Sequence, residues 1–282
     1  MEILVGKNAG FCFGVQNAVL KTKKELEYQH TISCLGELVH NENVLESLEN
    51  KGLKTIEKLP EKNETVIIRA HGVGKDIYEE SKKRNISLID LTCPKVSKIH
   101  QIVEDYSKNG YYVLYIGISK HPETIGTITF ANQISLIENI EDINEAICEI
   151  KDRNIKDVLI IVQTTFSLEM FQTISSIIQN ELKDICNIKI INSICPATKV
   201  REEETEELSK QVDFMIIIGG KNSSNTKKMY NISKEHTKTM LIQNANELDL
   251  KEIREYEKIG IMAGTSTPKE NIEDVVNLIK YL

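Results

Sequence analysis

Three cysteines in the chain lie at the start of the same local pattern. A glycine follows each of them after 24 residues, in the pairs Cys12 and Gly36, Cys93 and Gly117, and Cys195 and Gly219. Residues that favour a helix start flank each cysteine, such as the proline that follows Cys93 and Cys195. A thiolate at a helix N-terminus is stabilised by the helix dipole and by free backbone N–H groups. Three such thiolates could bind zinc or an iron–sulfur cluster.

The intervals between these cysteines favour a cluster over a structural zinc ion. Structural zinc normally takes four protein ligands, usually in close pairs, whereas the three cysteines are 81 and 102 residues apart. With three thiolates, one iron of a four-iron cluster has no protein ligand. Such an iron can act as a Lewis acid on a bound oxygen and deliver electrons to it. The spacing alone also leaves open that the cysteines have structural or incidental roles.

The composition is ordinary for a soluble globular protein. The chain has 282 residues, of which 40% are hydrophobic and 27% are charged. No apolar run approaches the roughly 18–20 residues that cross a bilayer, so we expect a cytoplasmic protein with reduced thiols and no membrane contact. The net charge of −7 argues against a general nucleic-acid binder.

The other three cysteines, Cys34, Cys148 and Cys186, lie in apolar patterns and are interpreted as small core residues.

A second set of residues suits the oxygens of a phosphate group. These side chains follow predicted strands and are His40, His71, His121, Thr164, Thr165, Ser223, Ser224, Asn225 and Ser266. Hydroxyl, amide and imidazole groups donate hydrogen bonds to phosphate, and histidine can add a positive charge. Residues 219–225 lead into a predicted helix, whose N-terminus is a suitable phosphate cradle. A simple helix N-cap is the common alternative for residues 223–225.

Other sequence signals narrow the choice of ligand. No Walker A loop and no dinucleotide-binding glycine motif follows any predicted strand. The other three histidines, His30, His100 and His236, are interpreted as surface or core residues.

Glu123 comes two residues after His121, and a carboxyl group in a partly dry pocket beside an open iron could donate a proton. The alternative for Glu123 is a solvated acid in the first turn of a helix.

Strands and helices alternate along the whole chain, which predicts an α/β fold with mainly parallel sheets. The pattern of strand, cysteine, helix and strand occurs three times, with helices predicted over 15–28, 94–108 and 196–210. We therefore predict three pseudo-repeated α/β domains, at residues 13–92, 93–192 and 193–282. The third repeat has no final strand of its own, so residues 1–12 with their N-terminal strand are predicted to complete it.

The candidate ligands all fall at the carboxyl ends of predicted strands, where open α/β sheets bind their ligands. Three domains with these ends turned inward would form one central pocket. Each domain would contribute one cysteine to a central cluster site.

The same motifs resemble those of the 4-hydroxy-3-methylbut-2-enyl diphosphate reductase family. They cover nearly the whole chain in order: FCFGV (11–15), GELVHN (36–41), RAHGV (69–73), TCP (92–94), HPE (121–123), QTT (163–165), ICPAT (194–198), NSSN (222–225) and AGTSTP (263–268). Thr265 stands where alanine is expected and Ser193 where threonine is more usual, and both changes are conservative. The resemblance implies the last step of the methylerythritol phosphate pathway of isoprenoid synthesis. Two electrons and two protons would remove an allylic hydroxyl to give isopentenyl and dimethylallyl diphosphate.

The resemblance also implies roles for individual residues. Cys12, Cys93 and Cys195 would hold a [4Fe-4S] cluster whose open iron binds the substrate oxygen, and Glu123 would donate a proton. The residues implied in binding the diphosphate are His40, His71, Ser223, Ser224, Asn225 and Ser266, while His121 and Thr164 would position the substrate. Thr165 has no firm role.

The partners implied are an allylic diphosphate and an external electron carrier such as ferredoxin or flavodoxin, because the sequence has no flavin or nicotinamide motif. We expect a monomer.

Two alternative functions are a non-redox iron–sulfur dehydratase, which would turn over without a reductant, and a structural metal-binding protein.

Overall fold

A computed structural model describes residues 1–39, 41–221 and 223–281, in which strands and helices alternate. In chain order the elements are β1 (Glu2–Val5), α1 (Phe13–Gln29), β2 (Ile32–Leu35), α2 (Glu42–Glu49), β3 (Leu53–Ile56), β4 (Thr65–Ile68), α3 (Lys75–Lys83), β5 (Ser87–Asp90), α4 (Pro94–Lys108), β6 (Tyr112–Ile116), α5 (Pro122–Ile128), β7 (Ile134–Ile137), α6 (Ile143–Asp152), β8 (Asp157–Val162), α7 (Leu168–Leu182), β9 (Asn187–Ile191), α8 (Pro196–Ser209), β10 (Phe214–Ile218), α9 (Ser224–Lys234), β11 (Lys238–Ile242), α10 (Leu250–Ile253), β12 (Lys258–Ala263) and α11 (Lys269–Lys280). Short 3-10 turns cover Ile140–Asp142 and Ala245–Glu247.

The described strands form three sheets of four strands each, and this confirms the predicted α/β fold with three parallel-sheet domains. Their orders are β1-β12-β10-β11, β3-β2-β4-β5 and β7-β6-β8-β9. The strand pairs with a described register are parallel, such as β6 with β8. By their internal contacts, residues fall into two compact units, Met1–Ile56 with Pro196–Leu282, and Glu57–Cys195. The boundaries at residues 12, 92 and 192 stay a prediction.

The first strand of the chain lies in the same sheet as the last one. β1 pairs in parallel with β12, and Glu2 stands opposite Lys258. The backbone of Gly6 continues this pairing by donating to the carbonyl of Ile261 at 2.9 Å. A Cβ at Gly6 would meet the Met262 sulfur at 1.9 Å, so a larger residue here would have to displace the Met262 side chain.

Continuous apolar runs explain the central strands. All five residues of β6 and of β10 are buried, as expected for parallel strands covered on both faces by helices. Helices on the two faces complete the cores; for example, Ile174 and Ile178 of α7 pack with Ile160 of β8.

Helix boundaries follow local signals in the sequence. α4 begins at Pro94, where the missing N–H of proline costs no helical hydrogen bond, and it ends before Gly110. The φ angle of Gly110 is 85°, a left-handed conformation that glycine adopts at helix ends. No helix in the described part of the chain is long and apolar enough to cross a membrane.

The structure tests the interpretation of the remaining cysteines and histidines. Cys34 is buried and Cys186 packs against a core cluster, as predicted, but the prediction for Cys148 is wrong. Cys148 is exposed, because it lies on the outer face of α6, whose inner face buries Ile147 and Ile150. His100 is a core residue that stacks on Phe130, with ring centroids 4.3 Å apart, and burial lowers its pKa to about 4.

Candidate functional site

The unit formed by Glu57–Cys195 contains the predicted acid, Glu123, in the first turn of α5. His121 caps this helix, because its Nδ1 accepts a hydrogen bond from the Glu123 backbone N–H at 3.1 Å. Since Nδ1 is the acceptor, the neutral imidazole carries its proton on Nε2. His121 therefore presents an N–H donor away from the helix, which suits an oxygen of a ligand.

The Glu123 side chain is 1% exposed, so the alternative of a solvated acid is wrong. The backbone N–H of Thr164 donates to its Oε1 at 2.8 Å, and the Thr164 hydroxyl donates to its Oε2 at 2.5 Å. Burial raises the pKa of Glu123 from 4.5 to about 7, and the hydrogen bonds from Thr164 oppose part of this rise. Near neutral pH this carboxyl group can therefore hold a proton and give it up.

The sequence assigned no role to two buried residues here: Tyr115, which contacts this carboxyl group, and Gln163, which precedes Thr164. The hydroxyl of Tyr115 on β6 lies 3.5 Å from Glu123 Oε1 and donates to it. Gln163 accepts from the backbone N–H of Ile118 at 2.9 Å and donates to the Thr165 hydroxyl at 2.9 Å. Gln163 thus links the loop after β6 to the loop after β8. A tyrosine in an apolar strand looks like a core residue, so the sequence carried no signal for Tyr115.

The two histidines of this unit lie beside each other. The rings of His71 and His121 are 5.6 Å apart between centroids and meet edge to face. His71 follows β4, so the ends of two strands far apart in the chain bring the rings together. Protonation of His71 would give this place a positive charge suited to an anion, whereas His121 must keep its Nδ1 unprotonated to cap α5.

Two cysteines of this unit, Cys93 and Cys195, form backbone hydrogen bonds to the loops that follow β4 and β8. The N–H of Cys93 donates to the carbonyl of Ala70 at 2.9 Å, next to His71. The N–H of Cys195 donates to the carbonyl of Thr164 at 2.8 Å. Thr164 therefore forms hydrogen bonds both to the Glu123 carboxyl group and to the backbone of Cys195. These bonds fix the position of the carboxyl group relative to the Cys195 backbone.

In the other unit, the loop after β10 leads into α9, as predicted. Ser223 is the N-cap, and its hydroxyl accepts from the Thr226 backbone N–H at 3.4 Å, so the capping alternative describes part of its role. Asn225 is 4% exposed, and neither polar atom of its carboxamide has a hydrogen-bond partner within the described residues. Because a buried amide without partners costs free energy, this carboxamide is suited to a bound polar ligand.

The ends of β10 and β12 approach this helix closely. A Cβ at Gly264 would lie 2.4 Å from the Thr226 hydroxyl, and one at Gly219 would lie 2.6 Å from it. Ser266 is buried in the loop that follows β12. The adjacent residue, Thr265, accepts a hydrogen bond from the Cys12 backbone N–H at 3.2 Å. This unit thus joins Cys12 to the loop that carries Ser266. His40, another predicted ligand, lies outside the described residues.

The donor chemistry of the three cysteines fits an iron–sulfur cluster. Cys12, Cys93 and Cys195 are half-buried and in no disulfide, and each directly precedes a helix, α1, α4 or α8. No disulfide competes for their sulfur atoms. Within residues 1–39, 41–221 and 223–281, no group of three histidine, cysteine or acidic side chains could hold a metal ion.

Comparison with known proteins gives the chain's relationships. The LytB protein family profile matches residues 3–280. The 4-hydroxy-3-methylbut-2-enyl diphosphate reductase of Clostridioides difficile (strain 630) is 38% identical over 286 residues, which cover 100% of both chains.

Two solved structures are also similar. One is (E)-4-hydroxy-3-methyl-but-2-enyl diphosphate reductase, the terminal enzyme of the non-mevalonate pathway, with a TM-score of 0.77, 36% identity and 100% of both chains covered. The other is the E-1-hydroxy-2-methyl-but-2-enyl-4-diphosphate reductase from Plasmodium falciparum, with a TM-score of 0.86, 29% identity, and 98% of this chain and 87% of that chain covered. The chain belongs to the LytB family.

Proposed function

We propose that the protein is an iron–sulfur oxidoreductase that removes the allylic hydroxyl of 4-hydroxy-3-methylbut-2-enyl diphosphate. The products are isopentenyl and dimethylallyl diphosphate, and the reaction is the last step of the methylerythritol phosphate, or non-mevalonate, pathway. Membership of the LytB family and the full-length relatives of that name support the proposal. The observation that carries it is the buried carboxyl group of Glu123, held by Thr164 and able to keep a proton near neutral pH.

The proposed reaction balances with two electrons and two protons. The carbon–oxygen bond of the allylic alcohol breaks, and its oxygen leaves as water after taking up one proton. A carbon–hydrogen bond forms with the second proton, and the two electrons supply the new bond pair. The substrate carbon skeleton is reduced, and an external carrier is oxidised.

The residues proposed as cluster ligands are Cys12, Cys93 and Cys195. A bound [4Fe-4S] cluster with three thiolate ligands supplies electron transfer and one Lewis-acidic iron. Every other part of the mechanism belongs to side chains of the chain itself.

Glu123 is proposed as the proton donor to the departing hydroxyl. Its pKa of about 7 matches the task, because general acids work best when their pKa lies near the working pH. Thr164 fixes the orientation of the carboxyl group, and His121, whose Nδ1 caps α5, is proposed to orient the substrate. Burial of this group keeps bulk water away from the proton that it gives.

The diphosphate is proposed to bind through neutral donors and histidines. The residues are His40, His71, Ser223, Ser224, Asn225 and Ser266. The carboxamide of Asn225 has hydrogen-bonding capacity that the described residues do not use, and the first turn of α9 contributes backbone N–H groups. These donors offset the net charge of −7, which alone would disfavour an anion.

The proposal extends to the surroundings of the enzyme. We infer a cytoplasmic monomer that receives electrons from a ferredoxin or flavodoxin. Reduced thiols at three positions fit such a compartment.

The test is anaerobic turnover of the diphosphate substrate with and without a reductant. The proposal requires product only with the reductant, whereas turnover without it would assign a non-redox dehydratase instead. An iron count of about four per chain is expected, and zinc in its place would contradict the cluster. Cys93→Ser should lose the iron, while the matched exposed-thiol control, Cys148→Ser, should keep it.

A further inference from the structure

Helix α1 presents large apolar side chains to solvent directly after a proposed cluster ligand. Phe13, the residue after Cys12, is 73% exposed, and Leu20 is 57% exposed. They are seven residues apart, so they lie on one face of the helix, two turns from each other. The opposite face is ordinary core, because Ala18 and Leu26 are buried. The exposed face, formed by Phe13 and Leu20, is not needed to hold the fold together.

Three lysines lie beside this exposed face, and the acidic Glu27 is exposed one turn beyond Lys24. Lys21 and Lys24 are exposed beside Leu20, and Lys23 is half-buried. No ion pair within the described part of the chain uses any of the three. An acidic residue of the same helix, Glu25, accepts a hydrogen bond from Gln29 at 3.3 Å. The middle of α1 therefore offers an apolar strip beside three lysines that form no described ion pair, ahead of the acids Glu25 and Glu27, on a protein whose net charge is −7.

The other two cysteine-led helices lack this combination. Helix α4 has exposed lysines, Lys95 and Lys98, but exposes no large apolar side chain at any of its residues, all of which the structure describes. Helix α8 exposes Val200, but its lysine, Lys199, pairs with Glu203 at 3.5 Å. Four more glutamates follow on α8, so its surface is acidic.

We propose that the face of α1 formed by Phe13, Leu20, Lys21 and Lys24 is the docking surface for an acidic electron-carrier protein. This inference rests on the proposed function, because the reduction needs electrons that the chain has no flavin or nicotinamide motif to supply. An apolar centre with a charged rim is the usual anatomy of a protein interface. Positive charges outside that centre attract a negatively charged partner and speed its association.

The electron balance follows from the carrier's chemistry. Each docked ferredoxin gives one electron and leaves oxidised, so two encounters supply the two electrons of one turnover. Weak, fast and salt-sensitive docking suits repeated encounters better than a tight complex. The surface begins at the residue next to Cys12, which keeps the path from carrier to proposed ligand short.

The test compares two reductants on the full-length enzyme loaded with its iron. One is a reduced acidic ferredoxin, and the other is dithionite with methyl viologen, which needs no protein docking. The double variant Lys21→Glu/Lys24→Glu should raise the KM for ferredoxin by roughly tenfold and flatten its dependence on salt. The dithionite-driven kcat and the iron content should stay unchanged. Leu20→Ser should weaken ferredoxin use in the same way.

The matched control reverses two lysines on another cysteine-led helix. Lys95→Glu/Lys98→Glu should leave the KM for ferredoxin as in the wild type. Calorimetric titration of oxidised ferredoxin into each variant gives the affinity without turnover, and it should fall only for the α1 variants. Because calorimetry needs no turnover, it tests the docking surface separately from the proposed function. A wild type that binds ferredoxin but does not turn over with dithionite would contradict the proposed function and leave the docking surface supported.

Three results would overturn the docking surface. The first is an unchanged ferredoxin affinity in Lys21→Glu/Lys24→Glu, and the second is a loss confined to the α4 control. The third is a change of oligomeric state in Leu20→Ser by analytical ultracentrifugation, which would assign the face to a second copy of the chain.

Discussion

Thr164 holds both oxygens of the Glu123 carboxyl group. Its backbone N–H donates to Oε1 at 2.8 Å and its hydroxyl donates to Oε2 at 2.5 Å, although the two residues are 41 positions apart in the chain. Two donors on two different oxygens fix the plane of the carboxyl group. The carbonyl of Thr164 also accepts from the Cys195 N–H, so one residue joins the proposed acid to a proposed cluster ligand.

The first prediction concerns the proposed proton donor. Glu123→Gln keeps the shape of the side chain but removes the transferable proton. Its amide oxygen can still accept from the Thr164 N–H, and its NH2 group can donate to the Thr164 hydroxyl. We expect kcat to fall by at least about a hundredfold, since a positioned general acid contributes this much or more. Iron content and thermal unfolding should stay close to those of the wild type. Glu169→Gln, which changes an exposed acid in the first turn of α7, is the matched control and should keep its rate. Near-normal rates for Glu123→Gln would remove Glu123 from this role.

The second prediction is a loss of rate at alkaline pH. In the proposed mechanism the protonated form of Glu123 is the active one, and the pKa of Glu123 is about 7. The rate should therefore fall as the pH rises through about 7, which a kcat–pH profile with dithionite as reductant measures. The profile of Glu123→Gln should lack this limb. A wild-type profile that is flat from pH 6 to pH 9, roughly one and two units either side of that pKa, would argue against Glu123 as the acid.

The third prediction is a pH dependence of stability. The folded protein holds the Glu123 proton up to about pH 7, whereas the unfolded chain releases it near 4.5. Between these values the folded state binds more protons, so the free energy of unfolding falls as the pH rises through this window. The loss is on the order of 3 kcal/mol. Urea unfolding at both ends of the window should show it for the wild type and not for Glu123→Gln.

The fourth prediction concerns the buried hydroxyl of Tyr115, which lies 3.5 Å from Glu123 Oε1. A donor to a carboxylate favours its charged form, so Tyr115→Phe should raise the pKa of Glu123. The alkaline limb of the kcat–pH profile should then move to higher pH, while the KM for the diphosphate stays the same. Tyr112→Phe on the same strand removes a hydroxyl that contacts Ser135 and Glu149, and it should leave the limb in place. A limb that moves equally in both variants would contradict the role of Tyr115.

The fifth prediction separates stability from binding at Asn225. Its buried carboxamide has no partner within the described residues, so Asn225→Leu should raise the free energy of unfolding by about 1–3 kcal/mol. The same change should weaken binding of inorganic diphosphate, measured by calorimetry. Asn41→Leu provides the contrast in stability, because the Asn41 side chain accepts a hydrogen bond from the Val44 N–H at 3.2 Å. Its stability should fall. Destabilisation of both variants alike would show that Asn225 has a structural partner.

Local signals predicted the long elements well. The helices predicted over 94–108 and 196–210 match α4 and α8 to within one residue, since Pro94 and Pro196 start them. The strands β3, β7 and β11 escaped prediction. Each lies at the edge of its sheet, with half-exposed residues and therefore no continuous apolar run. Strands of this kind are recognised only by the neighbour with which they pair.

The chain by itself determined the α/β class, the repeated spacing of three helix-start cysteines, and the polar residues at strand ends. Each of these depends on residues close in sequence, where periodicity and helix capping act. Only the tertiary structure decided that Glu123 is buried and not a solvated acid on the helix surface. Pairing of β6 with β8 carries Thr164 and Tyr115 to its carboxyl group, and burial there raises its pKa. Desolvation depends on the atoms that surround a group in space, and those atoms come from residues far apart in the chain.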